Sequence, residues 1–195
     1  SFLLNSKSKN IATFHSNQGT NLYKFGLNKI FKPLDKKLNV RIAVSKTAEH
    51  FINTYFQNIY EIIPNGIDID LFNKSTVINK IKDNKLNIIF IGRNDPRKGL
   101  DILIETLRKY TFDFPIRLII LGNKLNNLSV KNVEIINPGF VNENVKAKYL
   151  LSSDILCAPS LGKESFGIIL LEAMASNTAI IASDIKGYNE IITNN

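Results

Sequence analysis

Residues 87–107 read NIIFIGRNDPRKGLDILIETL, and they decide the fold. The run 87–91 is almost continuously apolar and too short for a helix, as a strand buried on both faces should be. GRNDPRKG follows, mixing Gly, Pro, Asn and Asp, the residues that set turn geometry. Beyond it Leu100, Leu103, Ile104 and Leu107 recur at i, i+3, i+4 and i+7, the apolar stripe of a helix lying on a core.

The same order recurs on both sides. Apolar runs at 11–14, 41–44, 61–63, 117–121, 133–136, 155–158 and 179–182 predict further strands, buried on both faces. Ala147, Leu150 and Leu151 mark a second helix, and 166–175 is apolar nearly all round, which predicts a buried one. Such alternation implies βαβ units, parallel sheets and the α/β class. It breaks at 73–85, NKSTVINKIKDNK, a polar run after the turn-forming Pro64-Asn65-Gly66. The expected organisation is one domain over 1–72, a linker over 73–85 and a second domain over 86–195, which ends without a predicted closing helix.

Composition narrows the function classes. With 195 residues, 44% of them hydrophobic, the chain is long enough for one sizeable core or parts of two. A single cysteine, Cys157, excludes an internal disulfide framework and fits a reducing compartment. No apolar run approaches the ~20 residues of a membrane span. The first residues, SFLLNSKSKN, lack the apolar core of a signal peptide and an initiator Met, so a fragment is expected. Net charge is +8, and the excess lies in residues 1–46, where nine Lys/Arg face only Asp35. Within that stretch 21–38, NLYKFGLNKIFKPLDKKL, mixes Lys with Leu, Phe and Ile at roughly helical spacing. It suits an anionic partner such as a lipid surface, a phosphorylated substrate or nucleic acid, and equally a solvated amphipathic domain helix.

Three places carry candidate chemistry. In 163–175, KESFGIILLEAMA, a helix should start near Ser165, Phe166 and Gly167, where unpaired amides and the positive end of the dipole favour an anion. Glu164 precedes that start and Glu172 lies about two turns into the helix, both able to accept hydrogen bonds from sugar hydroxyls. In 90–99, FIGRNDPRKG, Arg93, Arg97 and Lys98 stand at the carboxyl end of a predicted parallel strand, where α/β folds bind ligands. His15 closes the first strand, and His50 reads as a structural helix residue. Neither has ligand-spaced partners, so no zinc site is expected. The sequence has no G-x-S-x-G, and Cys157 falls within a predicted strand, which argues against a nucleophilic hydrolase.

Taken together, IATFHS at 11–16, RIAVS at 41–45, IPNGID at 63–68, FIGRNDPRKG at 90–99 and CAPSLGKESFGIILLEAMA at 157–175 resemble the GT-B glycosyltransferases of family 4. The GRxxxPRKG and ESFGIxLxEAMA wording is most similar to the bacterial phosphatidyl-myo-inositol mannosyltransferase group, which moves mannose from GDP-mannose to a phosphatidylinositol. The resemblance implies two Rossmann-like domains facing a cleft, both truncated here. It implies that Arg93 and Lys98 grip the donor diphosphate, helped by amides at Ser165, Phe166 and Gly167. Glu164 would then contact the transferred sugar, Glu172 the ribose, Val141 and Lys146 the base, and His15 the sugar from the first domain. Transfer would retain configuration, need no metal or other cofactor, and use a nucleotide-sugar donor with a lipid acceptor. The protein would be cytoplasmic and peripheral on the inner face of the plasma membrane. Two departures stand out: the loop between Arg93 and Pro96 is one residue shorter than the pattern, and the glycine-rich start of the first domain lies outside this sequence. The fragment itself is expected to be inactive. Alternatives are a UDP-sugar transferase acting on a polysaccharide or other acceptor, and a non-catalytic nucleotide- or nucleic-acid-binding module. No aromatic RNA-binding motif supports a nucleic-acid partner.

Overall fold

The computed structural model describes residues 5–17, 19 and 32–192. Of the basic stretch 21–38, residues 21–31 lie outside the described part. The chain forms two compact units, and it passes between them after Asn65, Gly162, Gly167 and Ile185.

The first unit is built on three parallel strands in the order β1 (Ile11–Phe14), β2 (Val40–Ala43), β3 (Glu61–Ile62). Helix α1 (Lys46–Asn53) follows β2. Ser45 caps it, its hydroxyl accepting the Ala48 amide at 2.9 Å, which satisfies one of the amides left open at a helix start. Ala48 and Ile52 put the apolar side of α1 into a core shared with Ala43, Val44, Phe56 and Tyr60. Tyr60 meets Phe14 edge-on at 5.6 Å, and burial, with Asp35 nearby, pushes its phenol up to about 12.

The second unit holds five parallel strands: β4 (Leu86–Ile91), β5 (Ile116–Leu121), β6 (Val133–Gly139), β7 (Ile155–Ala158) and β8 (Ala179–Ala182). Their order is β6-β5-β4-β7-β8. Counted within the unit this is 3-2-1-4-5, the doubly wound arrangement, in which the winding direction reverses between β4 and β7. Helix α2 (Ile69–Lys74) precedes the sheet; α3 (Leu100–Lys109), α4 (Glu143–Leu151) and α5 (Ile168–Ala175) connect its strands. The predicted stripe holds: Leu100, Leu103, Ile104 and Leu107 are all buried against Phe90, Leu118 and Ile120. A short helix, α6 (Lys186–Asn189), belongs to the first unit and stands where no closing helix was expected.

Two patterns differ from expectation for the same reason. Burial on both faces holds throughout β5, but β1 and β8 alternate between exposed and half-buried residues, and β3 is exposed. These are strands at or near sheet edges, covered on one side only. Likewise α5 buries Leu170, Glu172 and Ala173 but leaves Ile168 and Met174 exposed, so it packs on one face rather than all round.

The run 73–85 is fastened to the second unit, and the units divide at Asn65/Gly66 rather than across this run. The Ile78 amide donates to Ser152 Oγ at 2.7 Å, Ile81 is buried, and Asp83 pairs with Arg117 at 2.7 Å. Arg117 lies inside β5 with its side chain only 3% exposed. Through its two terminal nitrogens it donates to Asp83, Glu134, Asn87 Oδ1 and the Ile81 carbonyl, while its Nε is buried with no partner among the described residues. The Arg117 bond holds Asp83 far below the usual carboxylate range.

Candidate nucleotide-sugar site

In the second unit, the carboxyl ends of the strands are lined by glycines. The Gly92 amide donates to Leu121 O at 3.0 Å and the Gly122 amide to Gly139 O at 2.8 Å, which extends the ladder past β4 and β5. Gly122 has φ 82°, and a Cβ there would stand 2.9 Å from the Gly92 carbonyl oxygen, so the two loops approach as only glycine allows. Gly122 and Gly139 were not singled out from the sequence; a glycine at the close of each apolar run was the available signal. Asn137 adds to this edge by donating to Ile120 O and Asn123 O while accepting the Leu125 amide.

After β4, Asp95 caps a 3-10 turn, Pro96–Lys98, by accepting the Arg97 amide at 3.0 Å. This turn sorts the three cations. Arg97 folds back to pair with Asp95 at 3.4 Å and to donate to the Gly162 carbonyl at 3.1 Å, tying the β4 loop to the β7 loop. Gly99 closes the turn with φ 74°, and a Cβ there would fall 2.0 Å from Pro159 O. Arg93 stays exposed at the strand end, and Lys98 is half-buried with its stem near Gly92. The loops from β4 and β7 therefore meet at the point where the winding reverses, which is where this sheet order places ligands.

Glu172 and Lys146 come together as a pair. Lys146, on α4, donates to Glu172 Oε1 on α5 at 2.8 Å and lies 2.6 Å from Glu143 Oε2 one turn before it. Glu172 is only 6% exposed, and its other oxygen, Oε2, is buried with no partner among the described residues. Burial pushes the Glu172 carboxyl above the usual range, and the bond from Lys146 opposes this without cancelling it. Burial also works against the Lys146 charge, but its bonds to Glu143 and Glu172 prevail and raise it. A 2.8 Å ammonium–carboxylate contact holds the pair as ions. Glu143 was missed from the sequence because an exposed first-turn glutamate reads as helix capping. Val141 is half-buried beside Phe140, which is 87% exposed.

The remaining predicted residues belong to the first unit. Segment Lys163–Gly167 lies over the carboxyl ends of β1 and β2. Ser165 Oγ donates to the His15 carbonyl at 2.6 Å, Ser45 Oγ donates to the Ser165 carbonyl, and Asn17 Nδ2 donates to Glu164 O at 3.0 Å. Gly187 packs so closely that a Cβ there would fall 2.0 Å from Glu164 O. The Glu164 backbone is thus fixed while its side chain is half-buried; the His15 ring is exposed, and Phe166 is buried. Gly167, at φ 97°, turns the chain into α5, which starts at Ile168 as the sequence predicts. His50 is exposed and lines a cavity of about 600 Å³ with Lys46, Lys186 and Glu190.

Residues 72–195 match the family described as glycosyl transferases group 1. The chain belongs to this family. This chain is 33% identical to the phosphatidyl-myo-inositol mannosyltransferase of Mycobacterium tuberculosis, over 93% of its own length and 50% of that protein. Against the Propionibacterium freudenreichii protein of the same name it is 28% identical, over 85% of this chain and 44% of the relative. It spans about half the length of the curated relatives it matches. Among solved structures it is similar to Anabaena HepE in complex with UDP and glucose, at TM-score 0.75 and 18% identity, covering 96% of this chain and 56% of that one. A Rickettsia africae glycosyltransferase matches at TM-score 0.71 and 21% identity, over 97% and 55% of the two chains. These likenesses bear out the GT-B fold class with parallel sheets.

Proposed function

We propose that the full-length protein transfers mannose from GDP-mannose to a phosphatidylinositol-type lipid, with retention of configuration. The observation that carries the donor side of this reading is the buried, unpartnered Oε2 of Glu172. A buried acceptor without a donor is costly, so a site that keeps one is suited to a ligand hydroxyl. A ribose supplies such donors. Arg93 and Lys98, at the carboxyl end of β4, meet the diphosphate. As the sugar leaves, they neutralise the charge that grows on the departing phosphate, a preorganised electrostatic contribution. From the motifs this chain shares with the family we assign the sugar hydroxyls to Glu164 and His15, the phosphates to the amides at Phe166 and Gly167, and the base to Val141. The name of the mycobacterial relatives supports the choice of mannose and of the lipid acceptor. No described helix is long and apolar enough to cross a membrane, and we place the protein peripherally on the inner face of the plasma membrane.

The test is a calorimetric titration of the full-length protein with GDP and with UDP, followed by a mannose-transfer assay on phosphatidylinositol vesicles. Tighter GDP binding and transfer to the lipid are expected. Tighter UDP binding would replace this reading with that of a UDP-sugar transferase, for which the HepE complex is the structural parallel.

A further inference from the structure

We propose that Lys146 is a positioning residue for Glu172: it occupies Oε1 so that Oε2 alone meets the ribose. The inference rests on the reading of Glu172 as the ribose acceptor.

The geometry supplies the reason. An ammonium has three donors, and Lys146 directs Nζ to two carboxylates, Glu172 Oε1 at 2.8 Å and Glu143 Oε2 at 2.6 Å. Its side chain is 15% exposed, between the side chains of Glu172, 8% exposed, and Glu143, 69% exposed. Glu143 thus holds the lysine from the solvent side while Glu172 receives it in the interior. Two of the three donors are thereby committed, and moving Nζ off this position leaves Glu172 buried without a cation. Among the described residues the ionisable groups acting on Glu172 are Lys146 and Glu143 of α4, and β8, packed on α5, reads AIIA.

Without the lysine, a buried carboxylate takes up a proton more readily, and burial already drives Glu172 in that direction. The protonated form is a poorer acceptor for a ribose hydroxyl. Lys146 therefore does two things at once. It keeps Glu172 ionised, and by using one oxygen it fixes which one is presented.

The experiment titrates the full-length protein with GDP and 2′,3′-dideoxy-GDP, and with the uridine pair in parallel, at neutral and alkaline pH. Wild type should prefer the ribonucleotide by about tenfold or more, the scale of a hydrogen bond to a charged group. Lys146→Met should abolish that preference at neutral pH and regain part of it as pH rises and Glu172 ionises. Lys146→Arg, which keeps the charge, should retain it. Lys146→Gln serves as the second variant if Lys146→Met does not fold. If Lys146→Met instead weakens both nucleotides equally and leaves the ratio intact at every pH, the lysine acts on the base and the proposal is overturned. If wild type binds nucleotide but shows no ribose preference, the ribose reading itself falls.

Discussion

The two ends of the second sheet use buried charge in opposite ways. At the amino end, the two terminal nitrogens of Arg117 meet two carboxylates and two carbonyls, from Asp83, Glu134, Asn87 and Ile81, and its Nε alone has no partner among the described residues. Past the carboxyl end, on α5, Glu172 has one cation and an oxygen with nothing to accept from among the described residues. The first arrangement balances its charge within the fold and makes structure. The second leaves an anion's oxygen open, which is the acceptor our proposal gives to a ligand hydroxyl. Charge alone does not mark a site; what separates the two is an open acceptor on a carboxylate that a single cation holds.

That contrast breaks most visibly in catalysis. Lys98→Ala, which removes a transition-state donor, and Glu164→Gln, which removes a charged acceptor of the sugar hydroxyls, should each lower turnover at least about 10²-fold in the full-length protein, with the unfolding temperature unchanged. Near-normal turnover from both would remove their assigned roles. At the amino end the expectation is reversed. Arg117→Met should lower unfolding stability, because Asp83, Glu134, Asn87 Oδ1 and the Ile81 carbonyl lose their shared donor, while nucleotide affinity of the folded protein stays at the wild-type level. Chemical denaturation with parallel calorimetry separates the two effects.

A smaller effect sharpens the same comparison. Asp83 is held far below its ordinary value by Arg117. Its folded value is depressed, so its contribution to stability is present above the ordinary carboxylate range and lost as pH falls toward the folded value. Asp83→Asn should therefore be less stable than wild type at neutral pH, and the gap should close on acidification. A gap that stays constant with pH would mean that Asp83 acts through something other than its charge.

Much of this was legible in the sequence. The strands at 11–14, 155–158 and 179–182 have the predicted bounds, because each is a short apolar run closed by turn or polar residues. The α3 stripe was legible because one face of a helix leaves a periodic signal. The Arg117 network was not, since its partners Asp83 and Glu134 lie far from it in sequence and a polar residue at the start of a run looks like a strand edge. For the same reason 73–85 read as a linker: its polar composition gave no hint of where Asp83 and Ile78 are fastened. The Arg97 fold-back was hidden too, because three cations in one loop look alike until Asp95 and Gly162 take one of them. Glu172 was found by its place in the motif, but its unpaired oxygen follows only from packing.

Glu172 is also where the account is most directly tested. Titration of GDP into full-length wild type and folded Glu172→Gln at neutral pH should show affinity reduced about tenfold or more in the variant. Equal affinities would contradict the assignment and return Glu172 to an ordinary buried ion pair.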